Sequence, residues 1–276
     1  MYSGRFSKFT SAAVSFTIYR FLVTLFIVAF RSEMDVMPDE KREAIPAIGY
    51  YPHEPISTGT TLIAMEFDGG VVVGTDSRTS SGSFIASRAT NKITPITDHL
   101  VVCRSGTAAD TQAIADIVKY HLEVYTMLEQ EPVSIYRATQ IFRKFLYNYR
   151  DQLSASMLVA GWDEKCGGQL YALPIGGFVT RQKSTASGSG STFVQGYLDN
   201  AWKPNLTRDE CKAIVKQAVG LATFRDGSSG GVVRLATIDK TGTKMELFRP
   251  DKPGFPVVKP PCAHLSFPPH LEQAEV

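Results

Sequence analysis

The chain has 276 residues, of which 43% are hydrophobic and 20% are charged, and its formal net charge is +2. These values are ordinary for a globular protein, so we expect one domain with a substantial core and tails. The basic residues are scattered rather than gathered into a stripe, which disfavours nucleic acid as a partner. The four cysteines form no CxxC pair and have no histidines at metal spacing, which argues against a zinc site and a disulfide framework.

The first part of the chain is predicted to be a leader without a core of its own. An apolar segment covers residues 11–30, but its uninterrupted part after Arg20 is shorter than the roughly 20 residues of a membrane-spanning helix. A signal peptide is one alternative, although no small-x-small cleavage site follows the segment, and a true start at Met34 or Met37 is another. Residues 31–57 are polar and contain prolines, which is typical of an unpacked leader.

The body of the protein begins with a strong hairpin signal. The β-rich runs TTLIAMEF and VVVGTDS flank an Asp-Gly turn, which predicts a hairpin in which Phe67 faces Gly70. Continued to its open end, this register places Thr60 opposite Ser77, with Asp76 one rung away. The hairpin is therefore predicted to bring a threonine and an aspartate close together.

A second hairpin is predicted from the runs KITPI and LVVC. Its simplest register sets Lys92 beside Cys103 and close to Arg104. A lysine within such an apolar hairpin is costly to bury unless a carboxylate pairs with it, and Asp76 is a candidate partner.

Three helices are predicted from apolar spacing and from the residues at their starts. Thr107 followed by Asp110 indicates a capping box at the first helix, and a second helix fits residues 133–152. Thr207 followed by Glu210 indicates a capping box at the third helix.

The remaining segments are predicted to be strands joined by turns. SMLVAGWD, GGQLYALP and FVTRQ lie between the second and third helices, and GVVRLATIDKTG with TKMELFRP forms a closing hairpin. This order predicts a layered α/β protein whose sheets pair through hairpins. From Pro250 onward prolines are frequent, so the tail is expected to be extended, either disordered or laid against a neighbour.

The dipeptide Gly59-Thr60 suggests a specific chemistry. A threonine hydroxyl is a weak nucleophile, but cleavage before Thr60 would give it a free α-amine with a pKa near 8, which can act as its base. Lys92 would lower the pKa of the hydroxyl, and Asp76 would hold the lysine. Gly106, at the entrance to a helix, could offer a backbone N–H to an oxyanion.

Several long segments in the same order resemble proteasome β-type subunits, within the N-terminal nucleophile hydrolases. They are GTTLIAMEFDGGVVVGTDSR, NKITPI around Lys92, CRSGTAADTQ, the GSGS run at 188–191 and RDGSSGGVVRL. The resemblance covers nearly all of residues 60–249, and it implies a four-layer αββα sandwich. It further implies a propeptide over residues 1–59, removed by cleavage between Gly59 and Thr60, a catalytic domain over 60–249 and a proline-rich extension over 250–276.

The resemblance also implies residue roles, partners and location. It makes Thr60 the nucleophile and base, Asp76 and Lys92 the supporting pair, and Gly106 the oxyanion donor; the group that orients the amine and a water comprises Ser189, Asp226 and Ser229. Expected partners are the other α and β subunits in stacked seven-membered rings, with unfolded polypeptides as substrates, in the cytoplasm and nucleus. No metal, organic cofactor or membrane is expected for the mature chain.

The segment CRSGTAADTQ is similar to the β subunits with caspase-like, post-acidic preference. The physical reason is Arg104, whose guanidinium could receive an acidic substrate side chain with about 1.5–3 kcal/mol when partly desolvated. Thr79, Thr90 and Gln112 are expected to line the same pocket. The long apolar leader departs from the shorter propeptides of this class.

Other interpretations remain open at this stage. A ring subunit that never matures would lack a complete nucleophile set, and a free-standing amidohydrolase would act without ring partners. The segment DGSSGG resembles the serine segment of chymotrypsin-like enzymes, but no histidine has a matching context. The GSGS run has no following lysine and is a weak phosphate-binding signal.

Overall fold

Hairpins build the two sheets of the computed structural model, which describes residues 58–258. The first sheet has the order β10-β1-β2-β11-β12 and the second has the order β5-β6-β7-β8-β9, all with antiparallel neighbours. The strands of the first sheet are β1 (Leu62–Phe67), β2 (Gly70–Thr75), β10 (Ser184–Ser187), β11 (Val233–Asp239) and β12 (Gly242–Phe248). Those of the second are β5 (Ile93–Thr97), β6 (Leu100–Gly106), β7 (Ala155–Asp163), β8 (Gly167–Leu173) and β9 (Thr180–Arg181).

Four helices and a small hairpin complete the described chain. The helices are α1 (Ala108–Glu129), α2 (Ile135–Asn148), α3 (Gln195–Ala201) and α4 (Arg208–Arg225). A 3₁₀ turn, Ser189–Phe193, precedes α3, and β3 (Thr79–Ser81) pairs with β4 (Phe84–Ser87) as a separate ribbon.

Apolar side chains pack on both faces of each sheet, which produces four layers. Between the sheets, Leu62 and Val73 of the first pack with Leu158 and other residues of the second. On the outer face of the first sheet, Ile63 packs against α3 and α4. On the outer face of the second, Val102 packs against α1 and α2. Neighbouring residues thus enter different cores, because successive strand side chains alternate between faces. The expected αββα sandwich is confirmed.

The register of the first hairpin is as predicted over its paired length, with Phe67 opposite Gly70. The ladder itself does not reach the predicted pair of Thr60 and Ser77. The ladder ends at Leu62 opposite Thr75, and one further bond of the same register follows, from the Asp76 N–H to the Thr61 carbonyl at 3.3 Å, whereas the Ser77 N–H donates to the Gly230 carbonyl at 3.0 Å.

The predicted register of the second hairpin is wrong by one residue. Ile93, not Lys92, lies opposite Cys103. The turn pairs Thr97 with Leu100 instead of Ile96 with His99, which alone would set Ile93 opposite Arg104, and a bulge at Ile96 brings Ile93 back opposite Cys103. A bulge places an extra residue in one strand, so every pair beyond it moves by one.

One of the two predicted capping boxes is confirmed. At α4 the Thr207 hydroxyl accepts from the Glu210 N–H and the Glu210 side chain accepts from the Thr207 N–H. At α1 the Thr107 side chain makes no cap bond, and the Asp110 carboxylate accepts from the Ser154 N–H at 3.3 Å instead. The second predicted helix is shorter than expected, since it begins at Ile135 and ends at Asn148.

The predictions for the two ends of the chain fall largely outside the described residues. These include the apolar segment 11–30 and the tail after residue 258. The described part of the tail lies against the protein itself: Phe255 packs on the outer core of the first sheet, and Pro256 lies against Gly220 of α4.

Candidate active site

Lys92 and Asp76 form a buried ion pair close to the start of β1. Lys92 Nζ lies 2.8 Å from Asp76 Oδ1, and the two residues are 5% and 0% exposed. Asp76 directly follows β2, and Lys92 directly precedes β5, so the sandwich brings the ends of two hairpins together. The proposed partnership of these side chains is therefore confirmed as a contact.

Backbone N–H groups satisfy the rest of the Asp76 carboxylate. Oδ1 accepts from Thr61 N at 3.0 Å, and Oδ2 accepts from Gly230 N at 3.0 Å and Arg78 N at 3.1 Å. Both carboxylate oxygens of this fully buried side chain therefore have hydrogen-bond donors.

Lys92 also contacts the peptide bond that precedes Thr60. Its Nζ donates to the Gly59 carbonyl at 2.9 Å. Burial lowers the pKa of Lys92, and the charge and hydrogen bond of Asp76 oppose that shift. Lys92 thus donates to the carbonyl of the Gly59-Thr60 bond, which the sequence predicts to be cleaved.

Thr60 is 3% exposed and is held by its hydroxyl and its nitrogen. The hydroxyl donates to the Gly59 carbonyl, the same oxygen that Lys92 contacts. The Thr60 N–H donates to Ser189 Oγ at 3.1 Å. Nucleophile, lysine and target carbonyl therefore lie together.

A second polar group surrounds the Thr60 nitrogen. Asp226 caps the C-terminal end of α4, and its Oδ2 accepts from Ser189 Oγ at 2.7 Å and from Ser229 Oγ at 2.6 Å. Its Oδ1 accepts from Ser228 N at 3.0 Å. The three residues named by resemblance thus form one connected group, and Ser189 connects it to Thr60.

Thr61, which was not among the residues predicted for the site, links the two groups. Its N–H donates to Asp76 and its hydroxyl donates to Ser229 Oγ at 2.8 Å. A Cβ on Gly190 would lie 1.9 Å from the Thr61 hydroxyl, so the neighbouring turn fits closely around it. The available signal was its position directly after the proposed nucleophile, in Gly-Thr-Thr.

Two of the predicted glycines have backbones that an L side chain would not fit. Gly59 has φ +65°, and a Cβ there would lie 2.5 Å from the Ser228 Cβ. Gly106 has φ +109°, and a Cβ there would lie 2.1 Å from the Ser154 carbonyl oxygen. The Gly106 carbonyl accepts from the Thr58 hydroxyl at 2.9 Å, so Gly106 borders the residues next to the Gly59-Thr60 bond.

Arg104 lies on β6 directly beside Lys92, since its N–H donates to the Lys92 carbonyl at 3.0 Å. Its Nη2 donates to the Asn91 carbonyl at 3.2 Å. Its buried Nε has no hydrogen-bond partner within residues 58–258. Burial lowers the pKa of Arg104, and the charge of Asp116 opposes this. The guanidinium is therefore partly desolvated and has unused donor capacity.

Of the other residues predicted for this pocket, Thr79 and Thr90 contact each other, whereas Gln112 lies on α1. Thr79 and Thr90 lie together, with their hydroxyls 2.9 Å apart. Gln112 lies exposed on the first turns of α1, and within the described chain no hydrogen bond joins it to Arg104. The structure thus pairs the two threonines but does not connect Gln112 to the arginine.

The described part of the chain offers neither a cluster of metal-ligating side chains nor a helix suited to a bilayer. Within residues 58–258, no group of three or more His, Cys, Asp or Glu residues could hold a metal ion. In the same range no helix has both the length and the apolar character needed to cross a bilayer.

Comparison with known proteins agrees with this geometry. Residues 56–238 match the family model of the proteasome subunit. The chain is 46% identical over 192 residues to proteasome subunit beta type-6 of Dictyostelium discoideum, covering 70% of this chain and 90% of the relative. It is 43% identical over 198 residues to proteasome subunit beta type-6 of Arabidopsis thaliana, covering 72% and 85%. It is 46% identical over 187 residues to proteasome subunit beta type-9 of Homo sapiens, covering 68% and 85%.

The match spans both polar groups around Thr60, and the relatives are matched over most of their own length. The chain therefore belongs to the proteasome subunit family, as a β-type subunit and threonine-type peptidase that assembles with α and β subunits in the core particle.

Proposed function

We propose that this subunit cleaves polypeptides after acidic residues, and that cleavage of its own Gly59-Thr60 bond activates it. The observation that carries the activation step is the convergence of the Thr60 hydroxyl and Lys92 Nζ on the Gly59 carbonyl. A nucleophile and a polarising donor at one carbonyl are the two groups that acyl transfer requires.

Activation proceeds as a transfer of the Gly59 acyl group from nitrogen to oxygen. The Thr60 hydroxyl attacks the Gly59 carbonyl carbon, while Lys92 stabilises the charge that develops on the carbonyl oxygen. The C–N bond breaks, and the nitrogen takes up the proton lost by the hydroxyl. Water then hydrolyses the ester and leaves Thr60 with a free α-amine and a free hydroxyl.

Gly59 suits this step because of its backbone. Its φ of +65° and its contact with Ser228 leave no space for a Cβ. A larger residue would displace the Gly59 carbonyl from Lys92 and from the Thr60 hydroxyl. Glycine therefore supports processing because it fits this backbone conformation, and it takes no part in the reaction itself.

Peptide cleavage uses the same groups with the new amine as base. The amine accepts the hydroxyl proton, the hydroxyl oxygen attacks the substrate carbonyl, and the leaving nitrogen receives that proton. Ser189, held by Asp226, orients the amine, because it already contacts the Thr60 nitrogen before cleavage. The Gly106 N–H and Lys92 are the donors proposed for the oxyanion. Water finally hydrolyses the threonyl ester.

The post-acidic preference is supported by the state of Arg104. Within residues 58–258 its buried Nε has no hydrogen-bond partner, and its Nη2 donates to a single acceptor, the Asn91 carbonyl. A carboxylate on the residue before the cleaved bond would satisfy this donor capacity with charge-assisted bonds. The paired Thr79 and Thr90 hydroxyls are the proposed polar wall of the same pocket.

The activation proposal is tested by Thr60→Ala in assembled particles. We expect the junction to remain uncut and the peptidase activity of this subunit to be lost, because the variant lacks the attacking oxygen. Mass spectrometry of the chain and peptide hydrolysis measure the two effects, with Thr126→Ala on α1 as the control. A variant that still begins at residue 60 or still cleaves peptides would refute the mechanism.

The specificity proposal is tested by Arg104→Leu. We expect kcat/KM for a peptide with Glu before the cleaved bond to fall by about tenfold or more relative to a Leu peptide, because the charge-assisted bonds are lost. Arg234→Leu, which changes an arginine on β11, is the control. If the ratio of the two substrates is the same in Arg104→Leu as in wild type, the pocket assignment is wrong.

A further inference from the structure

Arg78 follows Asp76 by two residues and contacts both polar groups of the site. Its backbone N–H is shared between Asp76 Oδ2 and the Gly230 carbonyl, at 3.1 Å in each case. The Gly230 N–H in turn donates to the same Asp76 oxygen. The backbone at Arg78 thus joins Asp76 to the segment that follows Asp226.

The Arg78 side chain continues along the same segment. Its Nη1 donates to the Gly227 carbonyl at 2.7 Å. A Cβ on Gly230 would lie 2.5 Å from Nη2, 2.6 Å from Cζ and 2.8 Å from Nε, so the guanidinium covers Gly230. The segment from 226 to 230 is therefore held at two points by one arginine, and the glycine leaves room for it.

That segment carries the group around the Thr60 nitrogen. Asp226 accepts from Ser189 and Ser229, and Ser189 contacts Thr60. A shift of the segment would move Asp226 relative to Lys92, although neither residue touches the Arg78 guanidinium through a hydrogen bond in the described chain. The side chain of Arg78 lies at the junction of two groups that must act on one threonine.

We infer that Arg78 is a positioning residue, whose guanidinium holds the 226–230 segment so that the Asp226 group and the Lys92–Asp76 pair meet at Thr60. This inference rests on the function proposed above for those two groups. It adds a residue whose effect on the reaction passes through others, since Arg78 itself does not contact Thr60.

The charge of Arg78 has a second effect on the same site. Burial is the largest cause that acts on the pKa of Lys92 and lowers it; of the charged groups, Asp76 and Asp226 raise this pKa, and Arg78, the smallest cause, lowers it. Removal of the guanidinium therefore raises the pKa of Lys92. Because the proposed function uses the ammonium form of Lys92, the decline of kcat at alkaline pH moves to a higher pH.

The experiment compares Arg78→Met, Arg78→Lys and the control Arg234→Met in assembled core particles. Arg234 is matched because its guanidinium also donates to a backbone carbonyl, that of Ala89, at 3.0 Å. Its Nε, like that of Arg78, is buried without a partner in the described range 58–258. Peptide hydrolysis is normalised to the number of chains that begin at Thr60, which mass spectrometry counts.

For Arg78→Met we expect kcat per processed chain to fall by about tenfold or more, with KM within about twofold, because misplaced groups lower the rate more than they weaken binding. In this variant the decline of kcat at alkaline pH, the alkaline limb of the pH profile, moves to higher pH. Arg78→Lys keeps the charge, so the alkaline limb of its profile stays near that of wild type, while its kcat is reduced. Arg234→Met matches wild type in both measurements.

The inference is overturned if processed chains of Arg78→Met have the kcat and the pH limb of Arg234→Met. If Arg78→Met particles do not assemble, Arg78→Lys decides the question: low particle yield with an unchanged kcat per processed chain would show a structural role only. Failure of the proposed function is a separate result, because it would show as activity retained in Thr60→Ala.

Discussion

At the scale of single residues, the site depends on burying two opposite charges in one place. Burial of an isolated lysine is costly, and the pair is tolerated because Asp76 and its backbone donors compensate. The same burial strengthens the effect of Lys92 on the Gly59 carbonyl, because a desolvated donor stabilises negative charge on that oxygen more strongly than a hydrated donor does.

The pKa of Lys92 leads to an expected pH dependence of processing. Burial, the largest cause, lowers this pKa below its ordinary value, so the ammonium is lost at a lower pH than for an exposed lysine. The precursor has no free amine at Thr60, so that amine does not contribute to the profile. We expect the processing rate to decline with rising pH before the ordinary pKa of lysine is reached.

This dependence is measured by sampling assembling particles at several alkaline pH values and determining the uncut fraction by mass spectrometry. The control is Lys183→Met, which alters a lysine that is paired with Glu66 and more than half exposed. It should leave the profile unchanged. A rate that keeps rising through the ordinary lysine pKa would contradict the proposed role of the ammonium.

At the scale of elements, the two capping positions differ in what their threonines do. The Thr207 hydroxyl accepts from Glu210, whereas the buried Thr107 hydroxyl has no partner in the described range 58–258. Asp110, which the sequence pairs with Thr107, is used to accept from Ser154 at the start of β7. Similar sequence signals therefore have different energetic consequences.

We expect Thr207→Ala to reduce the free energy of unfolding by about 1 kcal/mol, because it removes a helix cap bond. Thr107→Ala is the matched control and should have a smaller effect, since it removes a hydroxyl that makes no cap bond. Urea unfolding of the precursor measures both. Equal losses in the two variants would show that the α4 cap contributes little.

At the scale of the whole molecule, the space between the sheets connects the elements that carry the site. The ends of β2 and β6 and the start of β5 are held in place by this core, which contains Val73, Ile93, Cys103 and Leu158. Because both faces of each sheet are covered, a defect between the sheets cannot be relieved by exposure to water.

We expect Leu158→Ala to reduce the free energy of unfolding by about 2–5 kcal/mol, through lost burial and a residual cavity. Leu158 is 1% exposed, whereas Leu247 on β12 is 50% exposed. Leu247→Ala is therefore the control, with an expected change of about 0.5 kcal/mol or less. Urea unfolding of the precursor tests the difference, and a similar loss in both variants would argue against a tight core between the sheets.

The sequence by itself determined the features that depend on neighbouring residues. The Asp-Gly turn predicted the first hairpin with its register, and the pattern around Thr207 predicted the start of α4. It also identified Thr60, Asp76 and Lys92, because each lies at the end of a predicted hairpin and has a chemical reason to contact the others. Local propensity and the period of apolar residues are sufficient for such inferences.

Only the tertiary structure decided which distant residues meet. Sequence chemistry alone did not place Ser189 and Asp226 at the Thr60 nitrogen, from which they are separated by more than a hundred residues; the resemblance suggested them and the fold joins them. The bulge at Ile96 and the contacts of Thr61 and Arg78 were not predicted. Such contacts depend on how two sheets and a helix end pack against each other, and packing leaves no periodic signal in the chain.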